Sequence, residues 1–354
     1  MKAKHKYAGK IRYFYSVILL LGFMFLMSAN TIALGQVTLR FSNPMPPKGV
    51  EYEAFNWMMN EITKRTDGRV KIQSYHGGSL LKMSETLRGI QKGSADIGNI
   101  PTPYHPKELQ LWSAATPFIR GPLSPAKKAA FFWELYEKSP ELKAELANLN
   151  QRLIGLFTFG KYGIGGTASL KTLADIKGVK VRCAGGYDAK HIKELGGNVV
   201  FLRGPEVYSA MQKGAIEANY APLTTYFKYR LYEIGKRKNF LIIPQFNGIV
   251  GIVTMNQDSW NRLPSDVQKI IYEVGKEFTN VHLQKISDLE QKNAMKMKEA
   301  GVVISEVPIN EVEKWANLTE ASSKAKWVKD AQASGKPGKE LMAVTSQLIK
   351  KYTK

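Results

Sequence analysis

The stretch ADIKGVKVRCAGG, residues 174–186, carries the most information about the fold of this chain. Val179-Lys180-Val181 alternates as a short strand, and Arg182 stands at its end, just ahead of a Gly185-Gly186 turn. A guanidinium at a strand's carboxyl end, beside a loop that permits close backbone approach, is placed to grip a planar anion through two parallel N–H donors. The next stretch, GGNVVFLRGPEVYSAMQKGAIEANYAPLTTY (196–226), follows a helix expected over 189–195. It reads as a strand over 199–202, a helix over 205–213 and a strand over 216–220. This alternation predicts an α/β lobe.

The amino-terminal half repeats the pattern. A strand over 37–41 ends at Asn43-Pro44, a helix runs over 49–65, and a strand over 70–73 leads to Gly77-Gly78. A helix over 85–92 and a strand over 95–100 complete an α/β lobe with a mostly parallel sheet. Ligands of such sheets sit at the carboxyl ends of the strands, which nominates Asn43, the Gly77-Gly78 loop and the segment from Asn99 to Tyr104. Helices are expected over 125–150, and a strand over 153–159 is expected to cross between lobes. Strands over 240–243 and 249–255 lead back. Lobe I therefore spans 36–158 and is completed by about 247–262, and lobe II spans 159–246. An apolar pattern from Pro264 to Ala300, closed by Gly301, predicts one helix roughly 55 Å long. No single lobe can bury that length, so the helix (263–300) should back both, with a dimer seam as the alternative. Residues 301–354 are expected to form a helical segment packing on the lobes.

Residues 1–12 carry Lys2, Lys4, Lys6, Lys10 and Arg12 without an acid, an apolar run fills 17–27, and Ala33-Leu34-Gly35 offers small residues. This is an export signal expected to be cut near Gly35. The apolar run is short for a membrane span, and an uncleaved anchor is the alternative. Removing 35 of the 354 residues leaves 319, and the formal charge falls from +21 to +16 as the five basic residues leave. The bases are scattered among acids, with no zinc-finger or RNP-like motif, so the charge argues for anionic ligands or an anionic membrane surface and not for nucleic acid. Cys183 is the only cysteine, which excludes an intramolecular disulfide; its expected role is inert packing. No Gly-x-Ser-x-Gly, His-Glu-x-x-His or clustered metal ligands occur, and His76, His105, His191 and His282 are widely spaced. The glycine-rich YGIGGTASL (162–170) lacks the Gly-Lys-Ser/Thr ending of a phosphate loop.

Five segments, in order, resemble the solute receptors of TRAP (tripartite ATP-independent periplasmic) transporters, of the DctP type, over about residues 37–300. They are the opening strand with Asn43-Pro44, GGSLLKMSETLRGIQKGSADIGNIPTPY (77–104), the two stretches quoted first, and Trp260-Asn261-Arg262-Leu263-Pro264. The resemblance implies a periplasmic-binding-protein-like α/β fold: two lobes with mostly parallel or mixed sheets, hinge strands, and a long helix behind both. It implies a periplasmic receptor, not an enzyme, that binds a small organic acid by lobe closure and delivers it to membrane permease subunits. Arg182 stands where the family's carboxylate-binding arginine stands. Asn43, Asn99, Lys161, Gly185, Asn219, Tyr226 and Phe246 are the further candidates for ligand contact. The chain departs from the pattern in three places. Ala184-Gly185-Gly186 replaces a proline-containing loop, Gly204-Pro205 stands where an aromatic lid is frequent, and Ala221 replaces the asparagine that commonly assists the arginine. Asn219, on the same strand face, is the expected substitute. One carboxylate anchor follows from this, so a monocarboxylate with an apolar or aromatic body, or a ligand gripped through a cation such as calcium, competes with a dicarboxylate. No cofactor is otherwise called for. A periplasmic hydrolase or lyase, or a receptor feeding a sensor kinase, are the alternative functions, and a monomer or a homodimer through the long helix the alternative assemblies.

Overall fold

The computed structural model describes residues 36–202, 204–235 and 238–353, and the export signal lies outside the described residues. Its strands, in chain order, are β1 (Val37–Asn43), β2 (Val70–His76), β3 (Ile97–Pro101), β4 (Gln151–Thr158), β5 (Tyr162–Gly166), β6 (Lys180–Cys183), β7 (Asn198–Phe201), β8 (Ala218–Pro222), β9 (Asn239–Ile242), β10 (Val250–Asn256) and β11 (Val303–Glu306). They form two sheets, ordered β2-β1-β3-β10-β4 and β11-β9-β5-β8-β6-β7. Both are mixed. In the first, β1 runs parallel to β2 and β3, while β10 is antiparallel to β3 and β4. In the second, β6 is parallel to β7 and β8, whereas β5 is antiparallel to β8 and β9.

The chain passes between the sheets at residues 159–161, after β4, and returns at 243–249, before β10. The strand expected to cross thus stays within the first sheet, and three residues make the passage. The glycine-rich stretch from Tyr162 is β5 itself and not a loop. A Cβ at Gly163 would stand 2.6 Å from the Leu241 carbonyl, so the glycines let three strands close up.

The long helix spans Ser265–Glu299, 35 residues, with Pro264 as its N-cap. Val267, Ile271, Val274 and Phe278 bury against lobe I, in a core with Phe55, Met58 and Phe157. Met297 buries in lobe II with Tyr226 and Phe240. Its apolar stripe is therefore covered by its own chain, which is why a polar-faced 35-residue helix is stable here. A second bridging helix was not legible in the sequence: Ile309–Ala333 buries Trp315 in a lobe II core and Trp327 in a lobe I core. Just before it, β11 adds an edge strand to the second sheet, where only helix was expected. Among the described residues no helix is long and apolar enough to cross a membrane.

The contact of the long helix with β4 is set by Gly275, because any Cβ there would run into the Ile154 carbonyl oxygen. Gly275→Ala gains ~1 kcal/mol of helix propensity, yet it must push the helix off the sheet, which costs about 2 kcal/mol or more. A lowered melting temperature is expected; a variant as stable as wild type would show that the helix seats elsewhere.

Candidate functional site

Arg182 lies in β6, paired in register with Asn219 of β8 and Val200 of β7. Its side chain is 7 % exposed. The Nε and Nη2 groups donate to the Leu202 carbonyl at 3.0 and 2.9 Å, and Nη1 donates to Asn219 Oδ1 at 3.4 Å. One edge of the guanidinium is thereby clamped by neutral acceptors. Of its five N–H donors, those at the outer end remain for a planar anion. Asn219 is fully buried and its Nδ2 has no partner among the described residues. The asparagine two residues before Ala221 does stand beside the arginine, as period two requires.

The loop after β6 opens at Gly185, whose φ of 109° and ψ of −163° only glycine adopts readily. A Cβ at Gly185 would touch the ring of Phe201 at 3.3 Å. Phe201 is 66 % exposed, as is Tyr104 of lobe I at 65 %. Tyr229, lying over Gly204, feels both Arg182 and Tyr104, and burial raises its hydroxyl above the ordinary tyrosine range. The aromatic surface near Arg182 thus comes from Tyr104, Phe201 and Tyr229, and not from the position before Glu206. No spacing rule could have found these three, which come from separate segments of the chain.

On lobe I, Asn43 and Asn99 are brought together. Asn43 Oδ1 accepts from the Met45 N–H at 3.0 Å and from Asn99 Nδ2 at 3.2 Å, and Asn43 Nδ2 meets His76 Nδ1 at 3.2 Å. Both asparagines are buried, and Asn99 Oδ1 has no partner among the described residues. The other candidates sit elsewhere. Tyr226 is packed inside lobe II, 5.0 Å from the Phe240 ring, with its hydroxyl donating to the Leu231 carbonyl at 3.5 Å. Phe246 is 1 % exposed and packs on Phe131 at 5.2 Å. Their apolar bodies complete cores, so neither offers a surface to a ligand. Lys161 is in the passage between sheets; its backbone N–H donates to the buried Glu290 carboxylate, whose charge its own ammonium also faces. The Lys161 side chain is itself exposed, and it is the backbone bond that ties the crossing to the long helix.

Behind Arg182 lies a buried polar group that the sequence did not announce. Tyr162 and Tyr220 pack tilted, with ring centroids 5.4 Å apart, the Tyr220 hydroxyl accepts a hydrogen bond from Gln245 Nε2, and Asp188 sits 9 % exposed in the first turn of the helix Gly186–Glu194. Burial pushes the Asp188 carboxyl up to about 7, against the pull of Arg182. Burial and the Asp188 charge raise both tyrosines and the fully buried Cys183, which leaves that thiol protonated and inert. The four histidines among the described residues remain apart. His282 is enclosed by Phe55, Phe157 and Phe278, and His191 lies against Trp315; burial holds both neutral, each at about 4. No group of three His, Cys, Asp or Glu side chains among the described residues could hold a metal ion.

The family model described as bacterial extracellular solute-binding protein, family 7 (DctP), matches residues 41–330, and the chain belongs to this family of TRAP solute-binding proteins. A solute-binding protein of Albidiferax ferrireducens is 25 % identical over 293 residues, 82 % of this chain and 83 % of that protein. A monocarboxylate 2-oxoacid-binding periplasmic protein of Nostoc is 26 % identical over 249 residues, covering 69 % and 66 % of the two chains. Among solved structures, a TRAP periplasmic solute-binding protein of Desulfovibrio salexigens superposes with a TM-score of 0.78 at 25 % identity, over 90 % of this chain and 97 % of that one. A TRAP solute-binding protein of Rhodoferax ferrireducens in complex with benzoate superposes with a TM-score of 0.74 at 21 % identity, over 90 % and 98 %. The two-lobed fold read from the sequence is the fold of these proteins.

The raised pKa of Asp188 has a stability consequence. A carboxyl whose folded value lies above its unfolded 3.8 contributes stability at low pH that is lost as pH rises through about 7. Asp188→Asn removes the cost of burying the charge, so it should raise stability relative to wild type at pH 8, by at most about 4 kcal/mol, and have much less effect at pH 5. Urea unfolding at the two pH values measures the difference; equal effects would mean that Asp188 is solvated.

Proposed function

We propose that this chain is the periplasmic receptor of a TRAP transporter, that its cleft closes on a small monocarboxylate anchored by Arg182, and that it hands this ligand to membrane permease subunits. The mature receptor would begin near Gln36 after export. The observation that carries the reading is the state of Arg182: a guanidinium buried in a strand end, one edge clamped by a carbonyl, the other unspent. Such a cation needs an anion with two oxygens in a plane, and a carboxylate fits the fork. The preference for one carboxylate follows from the groups that hold Arg182, since the Leu202 carbonyl and Asn219 are both neutral. Exposed Tyr104 and Phe201 supply flat apolar surface for the ligand's body. The monocarboxylate-binding relative in Nostoc and the benzoate-bound neighbour accord with this class. Recognition and lobe closure are the whole of the work, with no catalytic step, resident cofactor or bridging cation.

A thermal-shift panel tests it on the mature protein, refolded to shed carried-over ligand. The panel holds mono- and dicarboxylates, aromatic acids, 2-oxo acids and sugar acids, with and without calcium. An acid present at ~100 times its dissociation constant adds about 2.7 kcal/mol of stability. Monocarboxylates are expected to raise the melting temperature of wild type, and Arg182→Ala to weaken their binding by about 2–5 kcal/mol, thirtyfold or more. Equal shifts in both proteins would relocate the anchor, and a calcium requirement would replace direct contact by a bridged one.

A further inference from the structure

The loop over 44–48, between β1 and the helix Gly49–Arg65, keeps only two backbone donors, because Pro44, Pro46 and Pro47 carry no N–H. That of Lys48 is spent inside the loop, on the Pro46 carbonyl at 2.8 Å. Met45 makes the bonds that reach outside. Its N–H donates to Asn43 Oδ1 at 3.0 Å, and its carbonyl accepts from the Gly77 N–H at 2.8 Å. Asn43 and His76 are the last residues of β1 and β2 and pair in register. The strands β1 to β4 share one direction, and β4 leads straight into the passage at 159–161. The loop therefore stands on the edge of lobe I from which the chain leaves for lobe II, at the rim of the cleft.

Hydrogen-bond polarity fixes where the proton sits on His76. A backbone N–H can only donate, so the Asn43 atom that meets Met45 is the carbonyl oxygen, which also accepts from Asn99 Nδ2 at 3.2 Å. The Asn43 amide nitrogen is then the atom 3.2 Å from His76 Nδ1. Nδ1 must accept, which leaves the ring neutral with its proton on Nε2. A second proton has no arrangement that spares the network. On Nδ1 it would face the Asn43 NH2 group. If the amide turned over to receive it, the Met45 N–H and the fully buried Asn99 would lose their acceptor. The side chains around the ring offer no compensating charge: they are Phe41 and Asn43 from β1 and Tyr52 from the helix Gly49–Arg65, edge-on at 4.8 Å. Burial also holds His76 below its ordinary 6.5. The neutral ring's contribution is thus present above that value and lost as pH falls through the folded one. We propose that Asn43, Met45 and His76 form a proton-sensitive latch on the lobe I rim: neutral His76 fastens the loop 44–48 to the end of β2, and protonation of His76 on acidification releases it. The latch works without ligand, so it stands apart from the reading of Arg182.

The experiment uses the refolded, ligand-free mature receptor as wild type, His76→Asn and Asn43→Asp. Nitrogen NMR of the imidazole reports which ring atom carries the proton, and hydrogen exchange of the Met45 amide, corrected for the intrinsic effect of pH, reports the latch. Near neutral pH wild type is expected to show a protonated Nε2 and a bare Nδ1, titrating with a midpoint below 6.5. Below that midpoint the protection of the Met45 amide should fall about fivefold or more, while that of Ile252 inside β10 stays unchanged. His76→Asn keeps an acceptor near the place of Nδ1 and binds no proton, so its Met45 protection should not follow pH. Asn43→Asp retains the acceptor for Met45 and offers a second one to Nδ1–H. It should therefore move the proton to Nδ1 and raise the midpoint by about one pH unit or more. A proton on Nδ1 of wild type near neutral pH overturns the latch, and so does Met45 protection that ignores the His76 titration. An acid loss in His76→Asn equal to that of wild type overturns it as well. The two wild-type measurements decide the matter even where a variant fails to fold.

Discussion

A buried guanidinium held only by neutral acceptors is an unfinished electrostatic arrangement, and the second lobe is organised around it. The Leu202 carbonyl and Asn219 fix the orientation of Arg182 without cancelling its charge. A close ion pair at this point would have been more comfortable for the apo protein and useless for a receptor, since removing a partner from a buried pair is expensive. Asp188 is near enough to be felt and too poorly solvated to be a full counter-ion. The outer edge of Arg182 is therefore left with donors that no neutral acceptor of the fold takes up.

The scaffold is arranged so that this edge can be covered. Three residues after β4 and seven before β10 carry the chain between sheets, while two helices run across the back of both lobes. The helix Ser265–Glu299 seats on lobe I through Gly275 and on lobe II through Met297. From this helix Glu290 reaches the crossing at Lys161. Helix Ile309–Ala333 adds a second tie, with Glu320 accepting the N–H groups of Ile119 and Arg120 at 2.9 and 2.6 Å. The rigid parts lie behind the cleft and the few-residue passages beside it, a distribution suited to hinge closure, in which short connecting segments absorb the backbone change.

Much of this was legible in the residues. The alternation of 179–181 ahead of Arg182, the two α/β runs, and the 3.6-residue pattern from Pro264 to Gly301 are local signals, and local signals determine local structure. They were enough for two lobes, a backing helix, the arginine and its neighbour Asn219. The misread elements share a cause. The strand β5 went unread because the reason for its glycines, the approach of the Leu241 and Glu217 backbones, lies far off in the sequence. Tyr226 and Phe246 looked like ligand contacts because an aromatic side chain carries no local mark of whether it fills a core or lines a cleft.

The sequence by itself determined most of the elements, their order and the strand-end position of Arg182, since periodicity, capping and turn chemistry act over a few residues. Only the tertiary structure decided what surrounds that arginine. Phe201 comes to lie on Gly185 and Tyr229 on Gly204, the backbone of Lys161 bonds Glu290 of the long helix, and Asp188 is buried. Charge and solvation depend on everything within several ångströms, and in a chain folded this way most of those neighbours are remote in sequence.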